Sequence, residues 1–236
     1  VQKKNFKTTD MEQEKKLSEK ESFELIAMMI NKAKESYHDT GFSAIMWGAV
    51  IAFCSLVRLS ELQFNYKLPF DIYLLTFAAL IPQVYLSIKE KKERKVKSFD
   101  DVYMDYLWLA FGICIVLLIV IVNNVFSDWG SWVDVYRNAT GKSPGFRFSE
   151  YVLPLFLMLY GMPTFVTGAA CKFKPMLWGG IFCWVSCIAA IYTPSKIDLL
   201  LTAASAIFAW LLPGIIMEKD YRLYKTRQAK LNVQGP

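Results

Sequence analysis

The sequence predicts an all-α membrane protein, with six transmembrane helices as three tandem helical hairpins preceded by a cytoplasmic amphipathic helix. Three observations predict it. Of 236 residues, 54% are apolar and 15% aromatic, with a mean hydropathy of +0.28, too oily for an ordinary water-soluble domain. The apolar residues gather into six blocks, long enough at about 1.5 Å per helical residue to cross a hydrocarbon core. None of the blocks alternates with period two, so helices rather than barrel strands must satisfy the backbone in lipid.

Residues 1–17 are charged and read as a disordered cytoplasmic tail. Ser18 and Glu21 then have capping-box spacing: the Ser oxygen caps an amide while Glu21 reaches back. The helix that follows, to residue 41, places Phe23, Ile26, Ile30 and Tyr37 on one face. That face is expected to lie in the membrane surface or dock on the bundle, with a partner helix as the rival reading. Six spans are expected at about 42–59, 68–88, 106–126, 151–171, 175–194 and 199–217, and a basic tail from 219 to 236.

Charge sets the orientation. Fifteen Lys and Arg fall near residue 32, in KEKKERKVK, in CKFKP and in the last helix end, against six on the opposite side. By the positive-inside rule both termini face the cytoplasm. The net charge of +6 follows from this asymmetry and from anionic headgroups, so the lipid bilayer is the expected partner and nucleic acid is not.

The stretch MLWGGIFCWVSC at Met176 echoes IMWGAVIAFCSL at Ile45. Each is followed by an outward loop, an acidic residue (Asp71 or Asp198) and a returning helix with a late proline, Pro82 or Pro213. The middle pair supplies Pro163 in the equivalent place. Three parallel hairpin repeats are therefore expected. Each proline removes an amide and frees a carbonyl four residues back. The kinks either let an irregular bundle pack or frame a cavity, to which Gln83, Asn123 and Asn124 would add polar groups. The dipeptide Pro82-Gln83 resembles the PQ-loop transporters, although only one copy is present.

The chemistry is sparse. A single histidine, His38, leaves no basis for a histidine metal site or a Ser-His-Asp triad, so no cofactor is expected. Cys183 and Cys187 share a helix face and are read as small packing residues. Asp71, Asp105, Asp128, Asp134 and Asp198 are placed at span ends, within reach of water. The longest outward segment, from Ser127 to Glu150, carries a sequon at Asn138 and the aromatics Trp129, Trp132 and Tyr136. These aromatics form an interfacial belt and are the expected external contact.

Taken together, ESYHDTGFSAIMWG, CKFKPMLWGG and a closing LLPGI before a basic tail resemble a group of uncharacterised bacterial six-span inner-membrane proteins. The resemblance covers Ser18 to about Arg227 and implies a multi-pass inner-membrane location; it carries no catalytic residues. The expected function is non-enzymatic: an interaction, sensing or accessory subunit of a membrane complex, with a membrane-protein partner or a second copy. The alternative is a small transporter or binder of an amphipathic solute, using a cavity between kinked helices.

Overall fold

The computed structural model describes residues 40–93, 99–145 and 148–233, which contain helices and no strand. Phe23, Ile26, Ile30 and Tyr37, the expected docking face, lie outside the described residues. Helix α1, Phe42–Phe64, ends where Asn65 enters the left-handed region at φ 57°, which Asn tolerates better than most side chains. A 3-10 turn, Ile72–Leu74, leads into α2, Leu75–Glu93; Asp71 Oδ1 caps it by accepting from the Tyr73 N–H at 2.9 Å. Helix α3, Phe99–Thr140, has 42 residues and is therefore about 63 Å long.

Helices α4, Ser149–Ala170, and α5, Lys174–Ala190, are joined by a tight reversal. Lys172 is left-handed at φ 53°. Its N–H reaches the Ala169 carbonyl at 3.2 Å, and the Phe173 N–H reaches that of Gly168 at 2.8 Å, the bonding of a Schellman cap. The chain then rises as α6, Ser195–Ala206, widens into a π-turn, Ile207–Leu211, and continues as α7, Leu212–Val233. The π-turn has a cause in the sequence. Pro213 has no amide to offer the Ala209 carbonyl, and the Leu212 N–H instead reaches back five residues to Ile207.

Among the described residues five helices are long and apolar enough to cross a membrane: Phe42–Phe64, Ile72–Lys89, Val102–Thr140, Ser149–Ala170 and Ser195–Thr226. Lys174–Ala190 is apolar but shorter, at 17 residues. Helices α2 and α3 lie at the outside: among the described residues α2 packs on α1, and α3 packs on α4 while its Trp108 and Phe111 reach the core. Their outer faces leave Phe77, Ile81, Tyr85, Leu109, Ile113 and Val120 more than half exposed or close to it, a surface suited to lipid and not to water.

The third helix does not stop near residue 126. It runs on through the expected outward segment because that stretch holds no proline before Ser143, and its hydroxyls bond back to the helix, as Thr140 Oγ1 does to the Tyr136 carbonyl at 2.7 Å. Gly141, left-handed at φ 68°, ends it. The most extensive packing also lies between the expected hairpins and not within them: α4 packs most extensively on α5, and α1 packs mainly along α6, the π-turn and α7.

That pairing explains why Trp-Gly is written twice. A Cβ on Gly48 would sit 2.5 Å from the backbone nitrogen of Leu211, and one on Gly179 would sit 2.5 Å from the Cα of Ala209. The two glycines are sockets on α1 and α5 that receive the same π-turn from two sides. The tryptophans beside them differ. Trp47 donates its indole N–H to Gln83 Oε1 at 3.0 Å, tying α1 to α2, while Trp178 is 65% exposed. The core forms around Trp210 of the π-turn. Its ring lies 4.8 Å from Tyr160 and 6.3 Å from Phe111, and Trp108 meets Phe111 edge-on at 5.6 Å.

Candidate functional site: a buried polar seam

Helix α5 turns Gly179, Cys183, Ser186 and Ala190 inward, at spacings of four, three and four residues, all on one helical face. Helix α6 and its π-turn present Asp198, Thr202, Ser205 and Ala209 with the same spacing. The two helices run antiparallel. Gly179 meets Ala209 at one end, and Ser205 neighbours the Cys183 thiol one turn nearer the connecting turn. This register brings Thr202 level with Ser186 and Asp198 level with Ala190. All eight residues are buried.

The seam is close-fitting because its side chains are small, and it is polar because half of them carry oxygen. Asp198 is 1% exposed; its Oδ1 accepts from Thr193 Oγ1 at 2.6 Å. Thr202 Oγ1 bonds back to the Asp198 carbonyl at 2.8 Å. Asp198 Oδ2, Ser186 Oγ and Ser205 Oγ have no protein hydrogen-bond partner of acceptable geometry, although Ser205 stands beside Cys183. A buried polar atom left in that state costs about 1–3 kcal/mol. Two of them in one seam, with a third served only by a thiol, are a concentration that packing alone does not call for.

A second set of polar contacts closes the same end of the bundle. Arg58 Nη1 lies 2.7 Å from Glu61 Oε2, and Glu61 Oε1 accepts from the Leu68 N–H at 2.9 Å. One carboxylate thus ties the end of α1 to the loop that follows it. Cys54 Sγ reaches the Ile72 carbonyl at 3.4 Å, Ser55 Oγ and the Tyr73 hydroxyl lie 3.2 Å apart, and Lys196 Nζ donates to Gln63 Oε1 at 3.0 Å. The expectation that the acidic residues at span ends meet water holds for Asp71, Asp105, Asp128 and Asp134, which are exposed, and fails for Asp198; Glu61, outside that expectation, is buried too. Asp198 and Glu61, at 1% and 6% exposure, are covered because α1, α5 and α6 end together around them.

The other residues singled out from the sequence are dispersed. Pro163 on α4 and Pro213 on α7 are buried, whereas Pro82 sits on the exposed side of α2 beside Gln83. Asn123 and Asn124 are exposed on α3 and bond back to the carbonyls of Ile119 and Val120 at 2.9 and 2.8 Å. Trp129, Trp132 and Tyr136 stack along the upper part of α3, with ring centroids 4.9 and 5.3 Å apart. A shallow open groove runs past Val125, Asp128, Trp129 and Trp132. Among the described residues no three His, Cys, Asp or Glu side chains cluster as metal ligands.

Sequence reasoning passed over Asp198, Ser186 and Ser205 as a group. The signal was present in part: Asp198, Thr202 and Ser205 fall at i, i+4 and i+7. Their partner face on α5 was read only as small-residue packing. No family model matches the chain, and no curated protein or solved structure is found to be similar to it.

Proposed function

We propose that the chain is a six-span, non-enzymatic protein of a bacterial inner membrane, with both termini cytoplasmic, acting as an interaction, sensing or accessory subunit. The carrying observation is the contrast between a core filled by Trp210, Tyr160, Phe111 and Trp108 and the apolar outer faces of α2 and α3, which are left exposed. A filled core suits a protein that works through its surface. In a bilayer the exposed outer face of α3, from Tyr106 to Ile121, would meet lipid or the span of another protein by van der Waals packing. The 17 residues of α5 count as a span in this reading, with Lys174 reaching the headgroups at its end.

The rival, a small transporter or binder of an amphipathic solute, draws on Pro163, Pro213 and the polar seam, and it needs an opening where the four rings now pack. Photocrosslinking separates the two. A photoreactive residue at Tyr106, Ile113 or Val120 on the outer face of α3 is expected to give a protein adduct of one discrete mass in native membranes. Lipid adducts alone at all three positions would remove the support for an interaction subunit.

A further inference from the structure

We propose that Asp198, Ser186 and Ser205 form a proton-binding site inside the bundle, entered from the turn at 191–194 and closed at its inner end. Three atoms carry it: Asp198 Oδ2 and Ser186 Oγ are buried without a protein partner, Ser205 Oγ has only the Cys183 thiol beside it, and all three lie on the facing surfaces of α5 and α6. Such groups persist in a native fold when they serve a ligand or a proton. The shape of the site selects between these. From Asp198 to Ser205 is seven residues, about 10.5 Å of axial rise, so one metal ion cannot be ligated from both ends. A file of hydroxyls beside a carboxyl suits a proton, because each hydroxyl both donates and accepts.

The entrance is Thr193. It is half-buried, follows the 84%-exposed Tyr192, and already donates its hydroxyl proton to Asp198 Oδ1. Below Ser205 the seam closes where Gly179 meets Ala209 and where Ala206 is 1% exposed. The file therefore covers about a third of a hydrocarbon core of about 30 Å. That length makes a blind site able to hold a proton and no through-path for conduction. Binding forms one O–H bond on the Asp198 carboxylate, with the proton drawn from water at the turn. The Ser186 and Ser205 hydroxyls, one and two turns further along the seam, respond to it as dipoles and do not bond the proton.

The groups around the site are few. On α4, the Glu150 carboxylate is near enough to act on Asp198. On α1, Arg58 and Glu61 are paired with each other, and Gln63 occupies Lys196. The Cys183 thiol stands beside Ser205 on α5, and the Tyr73 hydroxyl, ahead of α2, is taken by Ser55. The inference is independent of whether α3 meets a partner.

The test is pH-difference infrared spectroscopy on the full-length protein in lipid nanodiscs. Acidification is expected to produce the carbonyl band of a protonated carboxylic acid. That band should vanish in Asp198→Asn and persist in Glu61→Gln and Glu150→Gln. It should change frequency in Ser186→Ala combined with Ser205→Ala, and move in the parent when aspartate is labelled with carbon-13. The isotope shift and Asp198→Glu, which keeps a carboxyl and should displace the band, carry the test even if Asp198→Asn does not fold. A band that survives Asp198→Asn, that ignores aspartate labelling, or that stays put in the double serine variant overturns the proposal.

Discussion

Trp210 donates its indole N–H to Thr164 Oγ1 at 2.8 Å, and Thr164 passes its own proton to the Tyr160 carbonyl at 2.7 Å. Thr164 follows Pro163, and Trp210 stands three residues before Pro213. The two proline-bearing helices are thus joined by a relay at the place where each backbone is weakened. The neighbouring Met158 carbonyl is reached from α5 as well, by Trp184 Nε1 at 3.2 Å. Polar backbone near a proline kink inside a bundle needs such donors, because no bulk water supplies them.

The relay predicts an asymmetric mutant pair. Thr164→Val leaves a buried indole N–H without an acceptor and should cost about 1–3 kcal/mol. Trp210→Phe removes the donor while Thr164 keeps its bond to Tyr160, and should cost less through the hydrogen bond itself, about 1 kcal/mol. The double variant should be no worse than Thr164→Val alone, since the orphaned donor is gone. Melting temperatures of the four proteins in one detergent check the order. Additive losses would mean that the two side chains act separately.

The two glycine sockets predict position-specific intolerance. Alanine at Gly48 or Gly179 places a methyl 2.5 Å from the backbone of the π-turn, which cannot yield as a flexible side chain would. Each substitution should lower the melting temperature markedly. Gly112, in the middle of α3 with nothing within 4 Å of a built Cβ, is the control. Gly112→Ala should be neutral or stabilising by up to about 1 kcal/mol, from helix propensity alone. Equal losses at all three positions would show that helix composition matters here and contact with Leu211 and Ala209 does not.

Much of this was legible in the residues. Uncharged runs gave the helices, and the late prolines marked where α4 and the α6–α7 rod needed outside help. The repeated Trp-Gly announced two close helix approaches, but which helix they approach is a tertiary fact. Gly48 and Gly179 have the same local sequence whether each meets its own hairpin partner or both meet residues 207–211. Asp198 was the harder residue. An acid four residues into a helix after Thr-Pro usually faces water. Its burial depends on Ala190 and Ser186 being small enough for α5 to close over it. The end of α3 was misplaced because polar residues and glycine lower helix propensity without forbidding helix, and only Gly141 stops the chain.

Glu61 predicts a loop effect. Its two oxygens serve different partners, Arg58 and the Leu68 amide. Glu61→Gln keeps an acceptor for Leu68 while removing the ion pair; Glu61→Leu removes both. Hydrogen exchange over residues 66–71 should therefore rise modestly in the first variant and strongly in the second, with the helices of the core unchanged. An identical rise in both would assign the hold on the loop to Arg58.

The orientation of the bundle can be tested at three points, and the length of α3 sharpens the test. A helix of 42 residues is about 63 Å long, roughly twice a hydrocarbon core of about 30 Å. Its apolar run starts near Val102, so the turns carrying Trp132 and Tyr136 stand at or beyond the far interface, and Lys142 stands clear of it. With Cys114, Cys171 and Cys187 replaced by serine, single cysteines are placed at Lys142, Lys91 and Lys225. Cys54 and Cys183 remain, since both are wholly buried. A membrane-impermeant maleimide added to intact spheroplasts should label position 142 at once. Positions 91 and 225 should react only after the membrane is opened. The six-span arrangement forces this split, because two crossings separate position 91 from the start of α1 and four more precede position 225. External labelling at 91 alone would put the α2 end on the wrong side and break the arrangement. External labelling at both 91 and 225, with 142 silent, would keep the spans and reverse their orientation against the basic loops.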